Sequence, residues 1–274
     1  MRIVDAQAHL WLPDSQDRPW TSHGRTYAHG PAFTAADLSR EMDSAGVGRV
    51  VLMPPSWDGY RNDVVLAAAR QWPDRFGAMG RIDAADPASV AGMARWRQLG
   101  LLGYRLAFGR AADPSQLADG SHDAFWSRAD ELGIPVMIYP PHALRAVAAV
   151  AGRHAGVRLI VDHCALPVDT PVDRIGDTVT ELTALARFAN VAVKASALPC
   201  SAIDGYPFHS THDIVYRVVD AFGANRVFWG SDLTRLPCPY ADAVRMFTDC
   251  LDRLSETDLT WIMGKGIETW LGLK

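Results

Sequence analysis

Eight short runs rich in apolar and β-branched residues recur along the chain, each parted from the next by a stretch with helical periodicity. That alternation constrains the fold more than any other feature. The runs are Ile3–Ala6, Arg49–Met53, Phe76–Gly80, Gly103–Leu106, Pro135–Tyr139, Arg158–Val161, Val191–Lys194 and Arg226–Trp229. Strands alternating with helices argue for parallel βαβ units. Thr34 with Asp37 resembles a capping box opening a helix over Ala35–Ala45, and Gly46 stops it. Val64–Gln71, Ala88–Leu99, His122–Leu132 and Leu144–His154 each end at or before a glycine or proline, and Ile175–Phe188, His212–Phe222 and Ala241–Leu254 complete the set. Eight such units predict an α/β fold, a closed (β/α)8 TIM barrel. The 274 residues suit one domain over 1–274, since such barrels take about 250 residues. The rival, a doubly wound open sheet, wants a glycine-rich phosphate turn after its first strand. Gln7-Ala8-His9 stands there instead.

Composition narrows the partners. A hydrophobic share of 49% supplies a sizeable core. A net charge of −4 gives no electrostatic footprint for nucleic acid or an anionic membrane. No run of about 20 apolar residues suggests a membrane span, and the first strand starts too early to leave room for a signal peptide. Cys164, Cys200, Cys238 and Cys250 lack CxxC spacing, so neither a zinc knuckle nor a disulfide framework is expected. The expectation is a cytoplasmic protein with a small-molecule substrate, no nucleic acid and no membrane; a homo-oligomer stays open.

In such barrels chemistry sits at the C-terminal ends of the strands. Strand one offers Gln7 and His9, which alternate and so share a face. Strand two leads to Ser56, Trp57, Arg61 and Asn62, strand four to Arg105 and Arg110, and strand five to Tyr139 and His142. Strand six ends in Asp162, His163 and Cys164, strand seven in Lys194 and Ser196, and strand eight in Ser231, Asp232 and Arg235. Asp232 needs partners, because a buried unpaired charge is costly; with cations nearby it stays ionised and can take a proton from water. His163 can polarise a carbonyl. Arg105 and Arg110 suit anions, since guanidinium grips a carboxylate bidentately. Lys194 is expected to pair with Asp232 or meet substrate, Tyr139 to donate to a carbonyl or fill the barrel, and Asp162 to be structural. The long loop Leu12–Pro31, with Trp20, His23 and His29, reads as a lid or functional loop, and Trp11, Trp20 and Trp57 as an aromatic wall. Cys164, Cys200 and Cys238 could bring thiols to the mouth.

Several stretches together resemble the amidohydrolase superfamily, in the amidohydrolase-2 branch that includes 2-pyrone-4,6-dicarboxylate lactonases and sugar-acid lactonases. They are Val4–Trp11, Met53–Asp63 (MPPSWDGYRND), Leu159–Pro167 (LIVDHCALP), Val193–Ser196, Phe228–Asp232 (FWGSD) and Ile262–Leu273 (IMGKGIETWLGL), in order along the whole chain. The resemblance implies that Asp232 activates water while His9 and His163 polarise the scissile carbonyl. It also implies that Ser56, Arg105 and Tyr139 contact substrate. Two departures matter. Metal-using relatives place His-X-His where Gln7 and His9 stand, and a fifth-strand histidine where Tyr139 stands. An amide is a far poorer zinc ligand than imidazole.

The resulting expectation is a metal-independent hydrolase without cofactor, opening a lactone or related cyclic ester of an acidic or hydroxylated small molecule. Asp232, His163 and His9 are its catalytic candidates. Ser56, Arg105, Tyr139, Gln7, Arg110, Lys194 and Arg235 are its substrate-binding candidates. One alternative is a decarboxylase holding a single divalent metal such as zinc at His9, His163 and Asp232. The others are a lactone isomerase and a barrel that binds without catalysis.

Overall fold

A computed structural model describes residues 1–21, 28–108, 114–117, 119–167 and 170–273. Its eight strands are Val4–Ala8 (β1), Arg49–Leu52 (β2), Phe76–Gly80 (β3), Leu101–Ala107 (β4), Val136–Tyr139 (β5), Leu159–Val161 (β6), Val191–Ser196 (β7) and Val227–Gly230 (β8). Each is parallel to the next, in the order β1 to β8. The fold is a (β/α)8 barrel. Among the described residues, no helix is long and apolar enough to cross a membrane.

Two packed layers hold it. Val4, Ala6, Val51, Met53, Met79, Met137, Ile160, Ala192 and Phe228 fill the barrel from within, joined by Ile267 and Leu271 of the C-terminal helix. Side chains of the opposite strand faces pack with the surrounding helices. Two glycines make these contacts close. A Cβ on Gly103 would stand 2.1 Å from Pro135 O, and one on Gly264 would stand 2.4 Å from Arg2 O. Neither position has room for a side chain.

The expected helices over 35–45 and 212–222 appear unchanged, the first with its Thr34–Asp37 capping box. Several expected helices are shorter, and the one over 241–254 ends at Cys250. The stretch 88–99 breaks at Gly92 into Pro87–Ala91 and Met93–Gln98. The stretch 175–188 is helical only over Thr178–Thr183 before tightening into a 3-10 turn, Ala184–Arg187.

The seam between β8 and β1 is closed largely through a side chain. The Asp232 N–H donates to Gln7 O at 2.9 Å. The remaining links run through the buried carboxylate of Asp5. It accepts from Gln7 N at 2.9 Å, Ser231 N at 2.8 Å, Tyr240 Oη at 2.6 Å and Ser231 Oγ. Burial raises the Asp5 pKa, against these four donors. In the same stretch the β1–β2 register shifts between Asp5 and Ala8. Strict alternation would put Gln7 and His9 on the face opposite Val4 and Ala6. The shift lets all four face inward.

Candidate active site

Three groups meet at the seam. His9 Nδ1 lies 2.9 Å from Met53 O. A carbonyl only accepts, so Nδ1 carries the hydrogen, and Nε2 faces Asp232 Oδ1 at 3.2 Å. His9 is the nearest of three basic side chains to the Asp232 carboxylate. His163 Nε2 stands 3.7 Å from Asp232 Oδ2, and Arg235 Nη1 3.8 Å from the same oxygen. Burial alone would raise the Asp232 pKa; the hydrogen bond from His9 and the charges of His163, His9 and Arg235 outweigh it and hold the carboxyl below the usual carboxylate range.

His163 is set by its other nitrogen. Nδ1 is 2.8 Å from Ser196 Oγ, and the ring packs edge-on against Tyr139 at 5.3 Å. Burial pushes its pKa down to about 3, more than the neighbouring carboxylates restore. It is therefore neutral around pH 7. If the Ser196 hydroxyl donates to Nδ1, the Nε2 hydrogen is free for an incoming oxygen. Ser196, marked in the sequence only as a polar residue at the end of strand seven, thus stands in the site beside His163.

The backbone at these strand ends is bent sharply. His163, Cys164 and Ala165 after β6, Ala197 after β7 and Asp232 after β8 all have φ between 51° and 57°. Left-handed conformation in residues other than glycine costs on the order of 1–3 kcal/mol each and concentrates at functional sites.

A second, fully buried cluster lies beside the first. Arg105 Nε donates to Asp162 Oδ2 at 2.7 Å, and Lys194 Nζ lies 2.6 Å from Asp162 Oδ1. Lys194 also donates to Gln7 Oε1 and lies 3.3 Å from Met137 Sδ. Burial opposes the charge on Asp162, but Lys194 and Arg105 overcome it and the carboxyl pKa falls. Burial lowers the Lys194 pKa.

Several expectations change. Lys194 does not line the mouth or pair with Asp232: it is wholly buried and bonded to Asp162 and Gln7. Gln7 turns its carbonyl to that ammonium, while Nε2 has no hydrogen-bond partner among the described residues. His9 turns Nδ1 to Met53 O and Nε2 to the Asp232 carboxylate. Tyr139 donates to Leu166 O at 2.9 Å. Arg105 and Arg235 do face the site, and Ser56 is half-buried at the start of a 3-10 turn after β2. Arg110 and His23 lie outside the described residues.

The lid and thiol expectations shift too. Trp11 is buried, bridged to Phe33 and stacked on it at 5.2 Å, so it is core rather than wall. The Cys164 thiol is buried, and its pKa is pushed up to about 12. It is no nucleophile at neutral pH. An open cleft of ≈ 770 Å³ between the loops after β1 and β2, lined by Leu12, Asn62 and Trp96 among others, includes none of His9, His163 or Asp232.

Arg81, directly after β3, belongs to the mouth, although no motif flags it. Asn62 fixes its peptide, accepting from Arg81 N at 2.7 Å and donating to Arg81 O at 3.0 Å. The only sequence signal is an arginine at a strand's C-terminal end.

Comparison with known proteins accords with this architecture. The amidohydrolase profile matches residues 4–273. The chain belongs to the amidohydrolase family. It is 29% identical over 256 residues to an L-fucono-1,5-lactonase of Burkholderia ambifaria, covering 87% of this chain and 83% of the relative. A zinc-bound amidohydrolase of Burkholderia multivorans superposes with a TM-score of 0.83 at 20% identity over 100% of both chains. A probable 2-pyrone-4,6-dicarboxylic acid hydrolase of Acinetobacter baumannii, with citric acid bound, gives 0.79 at 19% identity, covering 99% of this chain and 100% of that one. At such identities the two structures show the shared fold alone.

Proposed function

We propose that this amidohydrolase opens the ring ester of an acidic or hydroxylated lactone without a metal ion. The observation that carries the reading is the Asp232 carboxylate set between His9 Nε2 and His163 Nε2 at the β8–β1 seam. Water adds to the lactone carbonyl and Asp232 takes its proton. The ring C–O bond then breaks, and that proton passes to the released oxygen. The product is a hydroxy acid one water heavier than the lactone. A carboxylate held below the usual range is a weak base. Its contribution therefore comes from placement, since fixing water against the carbonyl makes the attack effectively unimolecular. Neutral His163 donates its Nε2 hydrogen to the carbonyl oxygen as negative charge develops there.

The donor set fits a resident metal poorly. Gln7 Oε1 is taken by Lys194 and the Tyr139 hydroxyl by Leu166 O. The Lys194 ammonium lies close enough to Asp232 to feel its charge. Such a fixed cation would repel a divalent ion beside it. Among the described residues, no group of three or more His, Cys, Asp and Glu side chains could hold a metal ion.

The deciding experiment is a lactone panel assayed with and without chelator, with product mass recorded. A gain of one water and undiminished activity in chelator are expected. An unchanged mass would mean isomerisation. A tightly held metal whose removal abolishes turnover would instead make His9, His163 and Asp232 a ligand set, as a decarboxylase requires.

A further inference from the structure

Strand alternation puts Arg81 on the inner face of the barrel. Met79 belongs to the interior cluster, and the residue two further along a strand shares its face. Gly80 is paired with Tyr104 across β3 and β4, so Arg81 stands level with Arg105.

The Arg81 guanidinium is only partly used. Nε donates to Gly59 O at 3.0 Å, and the group lies 5.9 Å from the centre of the Tyr60 ring. Nη1 is out of solvent and has no hydrogen-bond partner among the described residues. Burial, and then the charge of Arg105, lowers the Arg81 pKa to about 10. Arg105 commits Nε to Asp162, and no hydrogen bond joins its terminal nitrogens to the described residues. Arg81 and Arg105 are near enough to feel each other's charge, and Asp162 is already shared between Arg105 and Lys194. A structural role for Arg81 accounts for its Nε and its ring contact. It does not account for a buried charged donor left unmet beside a second guanidinium, an arrangement that is costly without an anion.

We propose that Arg81 and Arg105 together bind a carboxylate of the substrate, and that Arg81 selects acidic lactones over neutral ones. A carboxylate offers two oxygens and about four acceptor positions, enough to take a donor from each guanidinium. The identity of the ligand as a lactone rests on the proposed function; the anion subsite rests on the two arginines.

Two measurements separate these ideas. The first is calorimetric binding of isophthalate, a planar dicarboxylate that cannot be hydrolysed, against uncharged isophthalamide. The wild-type protein should bind isophthalate and discriminate against the diamide. Arg81→Gln should weaken isophthalate by about 10- to 100-fold, the range for losing a hydrogen bond to a charged group. Arg81→Lys should fall between, because an ammonium keeps the charge but not the fork. If Arg81→Gln does not fold, Arg81→Lys carries the test, and wild-type affinity in it overturns the proposal. Equal binding of diacid and diamide, unchanged isophthalate affinity in Arg81→Gln, or binding of inorganic phosphate but not isophthalate would also overturn it.

The second measurement is the ratio of kcat/KM for paired 1,5-lactones that differ only in a carboxylate or a methyl beside the ring oxygen. Arg81→Gln should lower the acidic-to-neutral ratio by a similar factor, mainly through KM. A purely structural lesion would lower both members alike and leave the ratio fixed, which overturns the proposal. If no lactone is hydrolysed yet isophthalate binding depends on Arg81, the subsite stands and the lactonase reading falls. If lactones are hydrolysed and the ratio ignores Arg81, the reverse holds.

Discussion

Replacing Asp162 with asparagine keeps the volume at the end of β6 and removes one charge that serves two cations. Arg105 Nε and Lys194 Nζ both lie within 2.7 Å of this carboxylate, in a cluster closed to solvent. Removing one partner of a buried pair costs about 3–5 kcal/mol, because the other charge is left uncompensated. Here two charges are left, so the loss should reach the upper end of that range. Lys194→Met is milder: Asp162 keeps Arg105, and the loss is of hydrogen bonds to a charged group, about 1.5–3 kcal/mol. At roughly 2–4 °C per kcal/mol for a large domain, Asp162→Asn should lower Tm by ~10 °C or more, clearly beyond Lys194→Met. The pair should couple, with the double variant less destabilised than the two single losses added. The Asp162 pKa is depressed in the folded state, so its stabilisation is complete above the unfolded value of roughly 3.9 and fades as pH falls through the folded value. The gap between wild type and Asp162→Asn should therefore hold steady from neutral pH down to about 5 and narrow only in stronger acid. Urea unfolding across that range tests all three statements. An Asp162→Asn protein within about 1 kcal/mol of wild type, or a Lys194→Met protein less stable than it, would refute the reasoning from buried charge.

Three more outcomes follow from the same geometry. Asp232→Asn should cut kcat by about 10²- to 10⁴-fold with fold and isophthalate binding retained, checked by steady-state kinetics beside calorimetry. His9→Gln removes one of the groups that hold the Asp232 pKa down against burial, leaving His163 and Arg235, so that pKa should rise. Because turnover needs the ionised carboxylate, the acid limb of the kcat profile should move to higher pH, and an unmoved limb would count against the pairing. Cys164→Ser should leave kcat within about threefold, since a thiol with a pKa near 12 is no nucleophile at neutral pH; loss of turnover in a folded variant would reopen covalent catalysis.

The barrel was legible because its signals are periodic and local. Eight apolar runs spaced by helical patterns leave few topologies, and their ends name the mouth. His9, His163 and Asp232 were visible as polar residues just beyond those runs. What the sequence hid depends on which group each side chain satisfies. Lys194 reads as a mouth residue from its place in β7, yet it is tied down by Asp162 and Gln7 from other strands. The helix expected over 88–99 fails at Gly92, where the chain has no side chain to continue the packed face. Arg81 carries no motif; only its register with Arg105 and its unmet nitrogen mark it.

The site lies where the barrel is least regular, and the two facts have one cause. A continuous ladder between β8 and β1 would hold both strands to strict alternation and turn Gln7 and His9 away from the interior that Val4 and Ala6 occupy. The register shift against β2 between Asp5 and Ala8 lets them face inward, and on the other edge of β1, towards β8, backbone groups need partners. Asp5 answers that need by accepting from Gln7 N and Ser231 N, while Ser231 Oγ and Tyr240 Oη hold its second oxygen. Asp232 follows Ser231 directly, and its own N–H is bonded to Gln7 O. The left-handed turn that aims its carboxylate at His9 is therefore pinned on both sides by the substitute for the missing ladder. Irregular pairing here does not weaken the site: it is the condition for bringing an imidazole from β1 and a carboxylate from β8 within 3.2 Å of each other.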